Sequence, residues 1–256
     1  MRKFTCFLLF FIIATHLSAQ DNPIIDTDRP GQCYSSITIP KGHLQLETGI
    51  GLDLMSRMDN WGLTITDFRF GVANNFELKT GIRSSMTRMH GIDEFSFDGS
   101  LMAGLKWGIV NKKVKVAYIA EAHIPLYPNI IKAQHLINVS HGVGKKMNFY
   151  YMLSHNYDFS QLRQSNYFGG LQVSYLISFA LMKRWTFYIE GSSMWDSSVP
   201  SNFNFLYDAG LMYLVRDNIQ IDIFFGHGIN YAHGTYGIGI SWLPLKTKDL
   251  KNIDLQ

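Results

Sequence analysis

The sequence predicts an all-β fold: a transmembrane up-and-down antiparallel β-barrel of about twelve strands, following an export signal. Three observations carry this reading. Apolar residues recur at every second position over long stretches, which is strand alternation and not the 3.6-residue period of a helix. The connections alternate between tight polar turns and longer loops, the pattern of an up-and-down barrel in an outer membrane. The composition is rich in aromatics (14%) and glycine (22 residues) but holds only 17% charged residues, which suits a β protein with an apolar surface better than a soluble enzyme.

The chain opens with Arg2 and Lys3, an apolar run from Phe7 to Ala14, and small residues at Ser18 and Ala19. This is the pattern of a secretory signal peptide over residues 1–20, cut after Ala19 or Gln20. Its apolar core is short of the roughly 20 residues that a spanning helix needs. Removing Arg2 and Lys3 lowers the formal charge from +3 to +1, so the mature chain offers no basic face for nucleic acid. Cys6 leaves with the leader. Cys33 then stands alone and cannot form an internal disulfide, so it is expected as a small packed residue.

Residues 21–41 form a lead-in with neither strand nor helix periodicity. Within it lies Asp26-Thr-Asp-Arg-Pro-Gly-Gln32. Three roles are open for Asp26, Asp28 and Arg29. They fold into the bore as a plug or gate that pairs with lumenal charges, dock a periplasmic partner, or cap the open end as a turn.

The barrel is expected over 42–245. Alternating segments run near 42–55, 61–71, 75–88, 95–109, 113–125, 134–144, 147–158, 166–181, 184–195, 202–214, 218–228 and 234–244. They exceed the ~5–6 residues usual in globular strands and match the ~9–11 of a tilted strand crossing a bilayer. Leu44, Leu46, Ile50, Leu52 and Leu54 oppose Gln45, Glu47, Gly49, Gly51 and Asp53, and later segments split as cleanly. The segment at 61–71 is less tidy, because Leu63 and Ile65 share a face with Asp67 and Arg69. Short turns at 73–75, 111–113, 145–147, 183–184 and 216–218 alternate with looser loops, the first being Ser-Arg-Met-Asp-Asn at 56–60. Both chain ends fall on the short-turn side, expected to be the periplasm. Aromatics near strand ends, among them Trp61, Phe95, Trp107, Trp185, Tyr213 and Trp242, suit interfacial girdles. The tail 246–256 is polar and follows Pro244, which ends the ladder.

If the apolar face meets lipid, the polar face lines the lumen. The lumenal or selectivity candidates are Glu47, Asp53, Arg69, Glu77, Lys79, Arg83, Asp98, Lys106, Lys115, Glu121, His123, Glu190, Asp208 and Asp222. Glu47, Arg69, Glu77, Lys79, Lys106 and Lys115 come close in height. They form either an ion-pair network that fills the bore and pins register or a charged constriction that selects solutes. Twelve strands enclose more space than side chains fill in a barrel of about eight, so a water path or pocket is expected. Lumenal glycines, such as Gly49, Gly81, Gly210 and Gly239, leave bore space.

No catalytic, metal or cofactor site is expected. Ser140-His141 and Ser154-His155 are adjacent in strands, so their side chains point to opposite faces. The histidines lack ligand spacing, and the glycine-rich stretch near 226–239 has no strand–loop–helix context for a nucleotide. The expected partners are outer-membrane lipid, a small-molecule solute and, during biogenesis, the barrel-assembly machinery.

Thr27, Asp28, Arg29 and Pro30, then Pro40, Lys41 and Gly42, then Gln45, Glu47 and Gly49 form an ordered run. Over about residues 26–51 it resembles the start of the meta-pathway phenol-degradation family of outer-membrane transporters. The resemblance implies a barrel in the outer membrane of a Gram-negative-type bacterium that passes small, aromatic or poorly soluble compounds. A surface or structural barrel with a plugged lumen is the second reading, and an outer-membrane enzyme the third.

Overall fold

The computed structural model describes residues 25–126, 131–158, 170–196, 203–229 and 233–244. The expected signal peptide (1–20), the polar tail (246–256) and parts of four of the longer loops lie outside them. Twelve strands follow in order: β1 (Leu44–Met55), β2 (Met58–Ala73), β3 (Phe76–Met89), β4 (Phe95–Asn111), β5 (Val114–Pro125) and β6 (Lys132–Val143). The second half comprises β7 (Met147–Asp158), β8 (Gly170–Met182), β9 (Trp185–Asp196), β10 (Phe203–Arg216), β11 (Ile219–Gly228) and β12 (His233–Trp242). Each strand pairs antiparallel with its chain neighbours, and β12 returns to β1 to close the barrel. Closure leaves no sheet edge, so the backbone polar groups are satisfied within the wall.

The outward face is a continuous apolar band that includes Ile50, Leu78, Ile82, Leu101, Ile124, Ile137, Leu153, Val173, Ile223 and Ile238, all exposed. An apolar surface of this extent is foreign to a soluble monomer and is the face a bilayer covers. Aromatic pairs stand near strand ends, with Trp61 against Phe95 (ring centroids 6.2 Å apart) and Trp185 against Tyr213 (4.6 Å).

Two sequence expectations need correction. The stretch 56–60 is not a loose loop. β1 runs to Met55 and β2 starts at Met58, leaving Ser56 and Arg57 as the turn. Asp59 and Asn60 look like turn formers, but they pair with Leu54 and Asp53. Arg88 (3.4 Å) and His90 (3.0 Å) hold the Asp59 carboxylate. The untidy phase of β2 comes from a register shift between Gly62 and Thr64. The extra residue, Leu63, leaves the polar face and is exposed outside, while Ile65 stays inside against Gly51 and Gly62.

The lead-in packs into the bore. Ile25 and Ile39 of the lead-in meet Leu214 and Leu243 at the short-turn end. Deeper inside, Cys33 packs with Ile119, Leu136, Met152, Leu176 and Tyr188.

Candidate functional site

The lead-in is a re-entrant loop whose two ends are tied at the short-turn end. Ile25 N donates to Asp217 O (3.1 Å), and Thr38 Oγ1 donates to Asn74 O (3.3 Å). Gly42 N donates to Gly71 O (2.6 Å), and Gly71 N donates to His43 O (3.0 Å). Gly42 turns the chain into β1 at φ 76°, a left-handed conformation that favours glycine. Between these ties the chain rises into the bore, with Pro30 and Gly31 near its apex.

A buried segment without regular structure must find partners for its N–H groups. Here the wall carboxylates supply them. Glu47 accepts from Asp28 N (3.1 and 3.2 Å). Glu190 accepts from Gln32 N (2.7 Å) and Cys33 N (2.6 Å), and Glu77 accepts from Ile39 N (2.7 Å). Asp28 caps its own loop by accepting from Ser35 N (3.0 Å).

Asp28 also sits at the centre of the charged wall. Its carboxylate lies 2.6 Å from Lys106 Nζ, 3.1 Å from Lys79 Nζ and 3.5 Å from Arg69 Nε. Arg69 is fully buried and bonds Glu77 and Glu47, each at 2.8 Å, and donates to the carbonyls of Asp26 (3.0 Å) and Ile37 (3.1 Å). Lys79 bonds Glu121 (2.5 Å) and lies over the Tyr34 ring at 4.3 Å. Burial alone would raise the Asp28 carboxyl, but Arg69, Lys106 and Lys79 outweigh it and hold it well below the usual carboxylate range.

Arg29 reaches the opposite wall, where its Nη2 lies 3.2 Å from Asp222 Oδ1. The guanidinium lies against Gly49 of β1 and Gly239 of β12, which pair across the seam. A Cβ on Gly49 would come within 2.5 Å of Arg29 Nη2, and one on Gly239 would collide with the same group. Asp26 meets the wall through its backbone: its carbonyl accepts from Gln45 (2.8 Å) and Arg69, whereas its carboxylate makes no ion pair among the described residues and Oδ1 is buried without a hydrogen-bond partner. Burial accordingly pushes the Asp26 carboxyl up, against the smaller opposing effects of Ser35 and Arg69. Burial, reinforced by Glu190, likewise raises the Cys33 thiol, which is therefore no reactive thiolate.

Two cavities flank the lead-in. One of about 660 Å³ has Asp28–Gln32 and Tyr34 at its floor and Asp53, Asp67, Arg83, Asp98, His123 and Lys132 in its walls. The second, of about 150 Å³, is lined by Ile25–Thr27, Cys33, Tyr150, Tyr188 and Gln220, among others. Arg29 and Pro30 line both.

The candidates therefore fall into groups. Glu47, Arg69, Glu77, Lys79, Lys106 and Glu121 form one buried network around Asp28. Glu190 and Asp208 are buried cross-strand partners, and Asp222 holds Arg29. Asp53 (3.3 Å from His233), Asp98, His123 and Arg83, which pairs with Asp67 at 3.2 Å, line the larger cavity. Lys115 does not join the network. It is half-buried and pairs in the ladder with Asn111 and Ser140, nearer the short-turn rim. The adjacent Ser140 and His141 separate: Ser140 is buried inside, while His141 stacks on Phe149 and Tyr151. Sequence reasoning missed the apolar lumenal residues Ile119, Leu136, Met152, Leu176 and Tyr188. Their only signal was their phase relative to Gln134, Ser154, Gln172 and Glu190.

No protein-family model and no curated protein matches the chain. Among solved structures, an outer membrane channel from Pseudomonas putida F1 aligns at a TM-score of 0.58 with 9% identity, covering 84% of this chain and 99% of that one. The NanC porin aligns at 0.56 with 13% identity, and the KdgM porin at 0.53 with 11%; each covers 77% of this chain and 98% of the other. At these identities the likeness is one of fold: the chain has the architecture of outer-membrane channel barrels.

Proposed function

We propose that the protein is an outer-membrane channel for passive movement of small molecules, with its bore closed at rest by the loop Asp26–Cys33. One observation carries this reading. Two cavities open on opposite sides of the loop, and the residues common to both, Arg29 and Pro30, belong to the loop itself. The obstruction is thus a segment without regular structure, not the hydrogen-bonded wall. The charged network around Asp28 supplies the selective constriction, since rings of charge sort solutes by sign and hydration. The fold shared with porins and a channel supports the outer membrane as the location. The family resemblance of residues 26–51 adds aromatic or poorly soluble compounds as a substrate class to test. Lipid and the barrel-assembly machinery are the partners such a location brings.

A permanently plugged barrel is the second reading, favoured by the number of buried bonds that hold the lead-in. Planar-bilayer recording and liposome swelling, with phenols, aromatic acids and sugars as solutes, separate the two. Deletion of Asp26–Gln32 is expected to raise conductance and swelling above wild type. A folded deletion variant that passes no solute would remove the channel reading.

A further inference from the structure

The partners of Lys106 are unlike those of the other two cations in the network. If the lead-in left the bore, Arg69 would keep Glu77 and Glu47 at 2.8 Å, and Lys79 would keep Glu121 at 2.5 Å. Lys106 would keep almost nothing. Its hydrogen bonds go to Asp28 Oδ1 (2.6 Å) and Ile37 O (3.4 Å), both in the lead-in, and the nearest wall carboxylate, Glu77, is 3.8 Å away. With the lead-in seated, Lys106 is fully buried, and a buried ammonium that loses its close anion is costly. Asp28 is that anion: its carboxylate lies against Lys106, Lys79 and Arg69.

We infer that Asp28 is a tethered stand-in for a free ligand, and that the pocket formed by Lys106, Lys79 and Arg69 binds the carboxylate of a small organic acid once the lead-in is displaced. A single negative charge fits the balance of the wall. Arg69 and Lys79 have close wall carboxylates and Lys106 does not, so one negative charge is wanted, and a dianion would be repelled by Glu47, Glu77 and Glu121 nearby. The planar carboxylate seen there has one oxygen on Lys106 and the other toward Lys79 and Arg69. A compact acid reproduces these contacts; sulfate, a dianion, does not match their charge. The physiological meaning of the site rests on the channel reading, whereas the site itself is testable by binding alone.

The test uses full-length Asp28→Ala, folded in detergent, with acetate exchanged for chloride at constant ionic strength. Acetate at about ten times its dissociation constant is expected to raise the thermal unfolding midpoint by about 4 °C. Chloride and sulfate are expected to do nothing comparable. The added substitution Lys106→Met is expected to abolish the acetate effect. If Asp28→Ala does not refold in chloride, refolding yield in acetate becomes the readout, and recovery supports the site. Acetate that acts no better than chloride, or equally well with Lys106→Met, overturns it. Bilayer currents of the Asp26–Gln32 deletion variant, recorded in parallel, keep the two ideas apart. A silent, folded deletion variant with acetate rescue of Asp28→Ala sinks the channel but not the site, and a conducting one without rescue sinks the site but not the channel.

Discussion

On the β1–β5 side of the bore, the wall meets the lead-in with charge: Glu47, Arg69, Glu77, Lys79, Lys106 and Glu121 surround Asp28. On the β6–β11 side it meets the lead-in mainly with apolar bulk: Leu136, Met152, Leu176, Tyr188, Met212 and Phe224 gather around Cys33, with Ile119 at the border, and Glu190 and Asp222 are the charged contacts. The same loop is held by both walls, five residues apart. The difference is one of mechanism. The apolar wall stabilises whatever fills it, in proportion to the area covered. The charged wall stabilises only the correct arrangement, because a buried charge that loses its partner is penalised heavily. One side supplies adhesion and the other specificity.

The contrast is sharpest in the response to single substitutions. Arg69→Met leaves Glu47, Glu77 and Asp28 without their shared cation, and is expected to cost about 3–5 kcal/mol in denaturant unfolding of the detergent-folded barrel. Leu176→Ala opens a cavity in the apolar wall and should cost about 2–4 kcal/mol in the same measurement. If Leu176→Ala proves the more damaging, the charged wall is not what specifies the seat of the loop.

Acid probes the carboxylates of the loop itself. The Asp28 carboxyl is held low by Arg69, Lys106 and Lys79 against the opposing effect of burial. Its stabilising contribution is therefore complete above the unfolded value of about 4 and is lost as pH falls through the depressed folded value. Asp26 has the opposite sign, since burial raises its carboxyl. Its contribution is present below about pH 4 and is lost as pH rises through the raised folded value. Asp28→Asn should thus destabilise at neutral pH and flatten the acid limb of a stability–pH curve. Asp26→Asn should stabilise slightly or change nothing at neutral pH.

The smallest effect is expected at the partly exposed pair Arg83–Asp67 in the larger cavity. Asp67→Asn should change stability by about 1 kcal/mol or less. Its mark should instead be a shift of reversal potential toward anions in a salt gradient.

How much of this was legible in the sequence follows from the same contrast. Strand number and facing were readable because the outer face is apolar nearly without exception, from Leu44 in β1 to Trp242 in β12. The charged wall was readable because Glu47, Arg69, Glu77, Lys79 and Lys106 interrupt that pattern in phase. The apolar wall was not, because Leu176 among Leu171, Val173, Tyr175 and Ile177 only reads as one more apolar residue. Nor could alternation show that Glu47, Glu77 and Glu190 cap backbone N–H groups, since that depends on where an irregular segment comes to rest. Leu63 was misplaced because a single bulge residue reverses the phase of everything before it.

The seam between first and last strands gives the position of Arg29 a further meaning. Facing the bore, Gly49 pairs with Gly239 and Gly51 with Gly237. Such pairs carry no side chains of their own to fix the alignment of β1 and β12. Outside, Ile50 faces Ile238 and Leu52 faces Tyr236, apolar against apolar. The space that Gly49 and Gly239 leave is filled by the Arg29 guanidinium, anchored to Asp222 on the next strand, so a lead-in residue packs across that joint. Together with Asp53 and His233, 3.3 Å apart near the other end of the joint, it ties the seating of the loop to the alignment of the first and last strands.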